Sequence, residues 1–129
     1  SAGPIGLILS DVLMPELTLA VRHPVDATVD RVMAVAADLE RLPEWALGLS
    51  SDAEVEWAID VERGILDHDV TLPDGTAVHI RLRVEPRASG CELVFTVPRQ
   101  PGMTDEQWRA DAEAVAADLR RLAALAVSG

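Results

Sequence analysis

A histidine set within an apolar alternation is the clearest candidate for chemistry in this chain. Leu66-Asp67-His68-Asp69-Val70 reads as a strand. The loop after it, Leu72-Pro73-Asp74-Gly75-Thr76, suits a three-residue turn, with Pro73 and Asp74 in type I geometry and Gly75 in the left-handed position. This loop pairs Leu72 with Thr76 and fixes the register behind it. Leu66, His68, Val70 and Leu72 then share a face with Val78, Ile80, Leu82 and Val84. On the other face Asp67 lies opposite Arg81, and Asp69 opposite His79. A two-residue Asp-Gly loop would shift the pairing by one and scatter His79, Arg81 and Arg83 among apolar residues, so the consistency of both faces selects the longer loop.

An imidazole on the apolar side can act as general acid or base, because burial and a nearby carboxylate tune its pKa near neutrality. The competing reading is a hydrogen-bonded core or rim histidine, since the sequence fixes no nucleophile or partner beside it. The Asp67–Arg81 and Asp69–His79 pairs could form a polar site. They read better as cross-strand pairs on a solvated face, each contributing ~0.2 to 1 kcal/mol. His23, His68 and His79 do not assemble a metal site with these aspartates, because two of the three histidines fall on opposite faces of one hairpin.

Other candidates carry weaker signals. Trp45, Trp57 and Trp108 can line a pocket, offering indole N–H groups as its few polar handles, or can fill the core of a chain with one Phe and no Tyr. Core is the better reading for Trp57 and Trp108. Cys91 has no positive neighbour to favour a thiolate. Arg99, just before the last helix, could meet an anionic ligand group, but a salt bridge to Asp105 or Glu106 fits it better. No Gly-rich phosphate loop, Ser-His-Asp set or paired-carboxylate motif occurs, so neither metal nor cofactor is expected.

These residues need elements to hold them. Glu16 to Arg22 alternates as a strand with Leu17, Leu19 and Val21 on one face, and His23-Pro24 is expected to end it. Asp26 or Thr28 can cap a helix whose apolar positions are Val29, Val32, Met33, Ala36 and Leu39, with Pro43 expected to stop it. Leu42-Pro43-Glu44-Trp45 then turns Trp45 back onto the fold. Val55, Trp57, Ile59 and Val61 form a strand ended by a turn at Gly64. Cys91, Leu93, Phe95 and Val97 form another. Thr104-Asp105-Glu106-Gln107 is a capping box opening a helix of about twenty residues. Its stripe is Trp108, Ala112, Val115, Leu119, Leu122 and Ala126, with Asp111, Asp118 and Arg121 expected to face outward. The stripe needs an apolar cover, and the sheet face of Val55, Trp57, Leu66, Val70, Ile80, Leu82, Leu93 and Phe95 supplies it. The class is α+β, an antiparallel sheet packed against a long C-terminal helix.

Composition limits the partners. At 129 residues the chain fits one domain. Residues 1–14 are set apart as an N-terminal extension and 15–129 form the domain. The extension lacks the basic start of a secretion signal, and its apolar segment Ile5 to Leu9 is expected to pair as an edge strand or pack on a neighbour. Asp and Glu number 22 against 11 basic residues, all Arg. The net charge of -11 disfavours nucleic acid and anionic membrane surfaces, and no apolar run is long enough to span a membrane. The single cysteine excludes an internal disulfide, and the cytoplasm is the expected compartment.

The order of strand, short helices, meander and long last helix resembles the START-like (SRPBCC) superfamily, which includes polyketide cyclases, lipid-transfer domains and the birch pollen allergen. The carriers are His23-Pro24-Val25-Asp26-Ala27-Thr28-Val29-Asp30-Arg31-Val32, Leu42-Pro43-Glu44-Trp45, Gly64-Ile65-Leu66-Asp67-His68-Asp69-Val70 and Arg99-Gln100-Pro101-Gly102-Met103-Thr104-Asp105-Glu106. The likeness covers roughly Glu16 to Leu125 and is similar to small bacterial members labelled polyketide cyclase or dehydrase. It implies a helix-grip fold with a cavity between helix and sheet. The residues of this chain expected to line that cavity are Trp45, Trp57, Leu66, His68, Val70, Ile80, Leu82, Phe95, Trp108, Val115 and Leu119. Three functions remain open under it: binding an apolar, aromatic or lipid-like molecule; a cyclase or dehydratase with His68 as acid or base; and a co-chaperone-like protein-interaction domain. Such domains usually hold more strand between Trp45 and Gly64 than this chain has room for. The sheet is therefore expected to be shortened, leaving a side for the extension or a homodimer partner to close.

Overall fold

The computed structural model describes residues 18–47, 54–100 and 102–128. The expected pairing of Ile5 to Leu9 falls outside them. Five strands, β1 (Thr18–Val25), β2 (Glu54–Asp60), β3 (Ile65–Thr71), β4 (Ala77–Pro86) and β5 (Cys91–Pro98), form one sheet in the order β1-β5-β4-β3-β2. Every neighbouring pair is antiparallel. Between β1 and β2 lie α1 (Val29–Ala36), a 3-10 turn (Leu39–Arg41) and α2 (Leu42–Trp45), and the chain continues from β5 into α3 (Asp105–Ser128). Among the described residues the interval from Trp45 to Gly64 holds the single strand β2.

The β3–β4 hairpin has the register its turn chemistry implies, with His68 opposite Ile80, Asp69 opposite His79 and Val70 opposite Val78. Leu72 N–H donates to Thr76 O at 2.8 Å and Gly75 N–H to Leu72 O at 2.9 Å, with Gly75 at a φ of 91°. The capping box also forms. Thr104 N–H donates to Gln107 Oε1 at 2.9 Å, and Gln107 N–H to Thr104 Oγ1 at 3.1 Å, so two of the helix's unpaired first-turn groups are satisfied reciprocally.

Both proline boundaries differ from expectation. β1 runs through His23-Pro24 to Val25, because it is the edge strand of the sheet, where a residue without an N–H is tolerated. The first helix ends at Ala36, before Pro43 is reached. Pro43 instead sits in the first turn of α2, where its missing N–H would have had no helical partner. Leu39 therefore leaves the helical stripe and is 43% exposed. Thr28 provides the cap of α1, its hydroxyl accepting from Arg31 N–H at 3.2 Å.

The core gathers Val32, Met33 and Ala36 of α1, Leu66, Leu82 and Leu93 of the sheet, and Leu119, Leu122 and Ala126 of α3. A leucine buried this fully contributes roughly 1.5–3 kcal/mol. Helix α3 packs chiefly on β1, α1, α2 and β5 and less closely on β2, β3 and β4. The sheet's other half is consequently roofed at a distance. No helix among the described residues is long and apolar enough to cross a membrane.

Candidate functional site

A cavity of about 240 Å³ lies where α3 stands off from the sheet. Its floor is one face of the sheet, carrying Trp57, His68, Val70, Leu72, Val78, Ile80, Leu82, Phe95 and Val97. Asp111, Ala114, Val115, Asp118 and Leu119 of α3 form the roof, with Trp45 and Ala46 from the end of α2 and Pro98 and Gln100 from the end of β5. Of the residues expected to line it, Leu66 and Trp108 do not. Leu66 lies two positions nearer the Gly64 turn than His68 and is wholly buried in the core. Trp108 lies a turn before the roof, where its Nε1–H donates to Val97 O at 3.1 Å.

Both lining carboxylates, Asp111 and Asp118, are expected to face outward; Asp111 is exposed as expected and Asp118 half-buried, and both border the cavity because they flank Val115 at i, i+4 and i+7 spacing. That spacing is the available signal. Arg121 is also turned inward relative to expectation. Its Nε–H donates to Trp45 O at 3.2 Å and its guanidinium pairs with Asp118, which straps α3 to the end of α2.

His68 is 5% exposed and is held between rings. The Trp57 centroid lies 4.3 Å away at a tilt of 32°, and Phe95 meets it edge-on at 6.4 Å. Its Nδ1 lies 3.0 Å from Leu66 O. A carbonyl oxygen only accepts, so Nδ1 carries the hydrogen and Nε2 presents a lone pair. No group among the described residues bonds that nitrogen. Burial pushes the His68 pKa below the ordinary histidine value, outweighing the opposing bond to Leu66 O and the nearby Asp67 charge. The ring is therefore neutral at neutral pH, with a basic nitrogen available to the cavity.

Asp67 departs from the expected solvated pair with Arg81. It is 8% exposed, and its carboxylate takes a forked bond from Arg83, Nε to Oδ1 at 3.0 Å and Nη2 to Oδ2 at 2.7 Å, while Oδ1 also accepts Leu82 N–H at 3.2 Å. The reason lies in the ladder. Pairing between β3 and β4 passes from Ile65–Arg83 to His68–Ile80 without the Leu66–Leu82 and Asp67–Arg81 rungs between them. His68 Nδ1–H takes up Leu66 O, and Asp67 takes up Leu82 N–H, so adjacent side chains on opposite faces replace the missing backbone bonds. The hydrogen bonds from Arg83 hold the Asp67 carboxyl below the usual carboxylate range. Asp69 and His79 do pair as expected, at 2.6 Å and well exposed.

Two further groups are occupied elsewhere. Arg99 pairs with Asp105 at 2.7 Å, donates to Met103 O and lies 5.2 Å over the Trp108 ring, so it does not reach the cavity. Cys91 is buried, which pushes its thiol pKa up and away from thiolate chemistry. Among the described residues no three His, Cys, Asp or Glu side chains gather as a metal site would require.

The chain matches no protein-family model and no curated protein sequence. Among solved structures it is similar to DynU16, a protein of the dynemicin biosynthetic locus, with a TM-score of 0.67 and 19% identity over 84% of this chain and 46% of that one. It is also similar to Ara h 8.0201, with a TM-score of 0.65 and 13% identity over 87% of this chain and 98% of that one. TTHA0849 from Thermus thermophilus aligns with a TM-score of 0.59 and 17% identity over 86% of this chain and 97% of that one. This chain has their fold. It is a helix-grip arrangement, α+β, with a long last helix over an antiparallel sheet, and the START-like resemblance read from the sequence holds at that level. At such identities the likeness speaks for the fold alone, so function must come from the cavity's own geometry.

Proposed function

We propose that this protein binds a small apolar or aromatic molecule in the cavity between α3 and the sheet. The observation that carries the reading is the cavity itself: about 240 Å³, walled chiefly by Trp57, Val70, Val78, Ile80, Leu82, Phe95 and Val115, with few polar groups among them. Packed interiors leave few voids larger than a water, and an apolar cavity of roughly 150 Å³ already accepts benzene. The volume here suits a one- or two-ring compound rather than a long lipid chain. A partner of this kind accords with the net charge of -11, which disfavours nucleic acid, and the lone cysteine accords with a cytoplasmic setting. An open cavity favours this reading over a protein-interaction role, for which a filled core and a broad apolar surface would be needed.

Naphthalene titrated into the protein and followed by calorimetry should bind. Val115→Trp, which fills the cavity from the roof, should abolish that binding while leaving the circular dichroism spectrum unchanged. Unaltered binding in the folded Val115→Trp protein would place the ligand elsewhere.

A second reading is acid–base catalysis on a bound carbonyl compound, favoured by the unprotonated Nε2 of His68. Tetralone incubated with the protein in deuterium oxide should then exchange its α-hydrogens faster than in buffer, and His68→Leu should return the rate to background. Equal rates with both proteins would remove the catalytic role and leave binding intact.

A further inference from the structure

The β3–β4 ladder keeps one register on both sides of its gap. Ile65–Arg83 and His68–Ile80 belong to the same alignment, so no extra residue bulges out to part the strands. Antiparallel partners exchange backbone bonds at every second pair. Leu72 N–H donates to Thr76 O at 2.8 Å and Val84 N–H to Gly64 O at 2.8 Å. Stepping by two between these ends places Leu66 and Leu82 at a bonding position, where an unbroken ladder would join Leu82 N–H to Leu66 O.

Side chains have taken that bond apart. Leu82 N–H donates to Asp67 Oδ1 at 3.2 Å, and the released Leu66 O accepts from His68 Nδ1–H at 3.0 Å. An ionised carboxylate is a stronger acceptor for an amide than a carbonyl is. Arg83 aims it, through the fork of 3.0 and 2.7 Å to its two oxygens. Alternation along the strands puts Asp67 and Arg83 on the face of the sheet away from the cavity, whereas His68 lines the cavity. The backbone of Leu66 and Leu82 is the link between them. Which ring nitrogen of a histidine carries the hydrogen is set by such a bond.

We infer that Asp67 is a positioning residue for His68: by drawing Leu82 N–H away from Leu66 O it reserves that oxygen for Nδ1–H, and so keeps Nε2 as a proton acceptor. Without the carboxylate, Leu82 N–H returns to Leu66 O. The ring then shares its anchor with an amide, and the Nε2–H form becomes populated, which turns an acceptor into a donor. Arg83 acts one step further out, by fixing the Asp67 side chain. The tautomer follows from these hydrogen bonds alone, and its effect on chemistry rests on the acid–base reading of the cavity.

Nitrogen-15 spectra of the His68 ring at neutral pH provide the test. The unmodified protein should carry hydrogen on Nδ1 and none on Nε2, with a coupling across the hydrogen bond from the Leu82 nitrogen to the Asp67 carboxyl carbon. Asp67→Val keeps a strand-forming residue and leaves the part-exposed Arg83 able to reach solvent. It should raise the Nε2–H form to about a third or more of the neutral ring. Asp67→Asn keeps an oxygen for Leu82 N–H while losing the ionic fork, so it should lose stability yet hold the Nδ1–H form. A role in stability alone would move both variants alike. Exchange of tetralone α-hydrogens should slow in Asp67→Val with the share of bare Nε2 lost, and recover in Asp67→Asn. Hydrogen on Nε2 in the unmodified protein, a Leu82 coupling to the Leu66 carbonyl carbon, or an unchanged tautomer in folded Asp67→Val would each overturn the inference. The coupling is read in the unmodified protein, so it decides the matter even where a variant does not fold. No tetralone exchange in the unmodified protein would remove the acid–base reading and leave the role of Asp67 to stand or fall on the spectra.

Discussion

Asp67 and Asp69 sit two positions apart on one strand, yet they do different things. Asp69 meets His79 in solvent, whereas Asp67 replaces a missing rung of the ladder and holds Arg83 in a fork. Asp67→Asn should therefore cost about 2 kcal/mol in urea unfolding, while Asp69→Asn should cost under about 1 kcal/mol. Acid sensitivity should separate Asp67 from its neighbour His68. Burial lowers the folded pKa of His68, so its neutral form stabilises the fold fully above the unfolded value near ~6.5, and that contribution is lost as pH falls from there through the folded value. The folded pKa of Asp67 is lowered by Arg83. Its contribution is present above the unfolded carboxylate value near ~3.9 and is lost as pH falls further, through the folded value. Stability against pH should thus fall in two steps on acidification. His68→Leu should remove the upper step only; a single step in the unmodified protein would contradict the assignment.

Among the elements, turns with strong local chemistry are the most legible. Leu72-Pro73-Asp74-Gly75-Thr76 dictates the hairpin register, and that register puts His68 on the helix-facing side, because a period-two strand has no freedom once one pair is fixed. What stays hidden depends on long-range geometry. Pro24 is acceptable only because β1 becomes an edge, and no local pattern says which strand ends a sheet. Asp118 and Arg121 read as solvated because charged residues usually are, although their i, i+3 spacing lets each cover the other while Arg121 reaches a carbonyl seventy-six positions away. The skipped Leu66–Leu82 rung has no sequence signature either. Glycines in turns offer a test of how tightly elements meet. Gly64 has a φ of 68°, and a Cβ there would fall 2.4 Å from Val84 O, whereas at Gly75, with a φ of 91°, it would meet nothing within 4 Å. Gly75→Ala should cost only the backbone strain, about 1–2 kcal/mol. Gly64→Ala should cost clearly more, since backbone must move, and thermal unfolding of the two variants would rank them.

At the scale of the whole molecule the protein has a solid side and a hollow one. The C-terminal half of α3 buries Leu119, Leu122, Ala123 and Ala126 against α1 and the sheet, whereas Trp108, Ala112 and Val115 of its first half are only half-buried. Regions with fewer buried contacts open at lower free energy than the global unfolding, so stability should be graded along this one helix. Amide hydrogen exchange should be slower over residues 117–126 than over residues 107–115. A cavity ligand that fits should change the gradient, because it adds apolar contact only to the hollow side. At a ligand concentration one hundred times its Kd, binding contributes about 2.7 kcal/mol, which for a domain of this size raises Tm by roughly 10 °C. Protection should then rise in the first half of α3 and in β3 and β4, with the solid half changing least. Uniform exchange along α3 without ligand would contradict the division into two sides. A ligand that protects only α1 and β1 would place its site in the solid half of the molecule, away from His68 and Trp57.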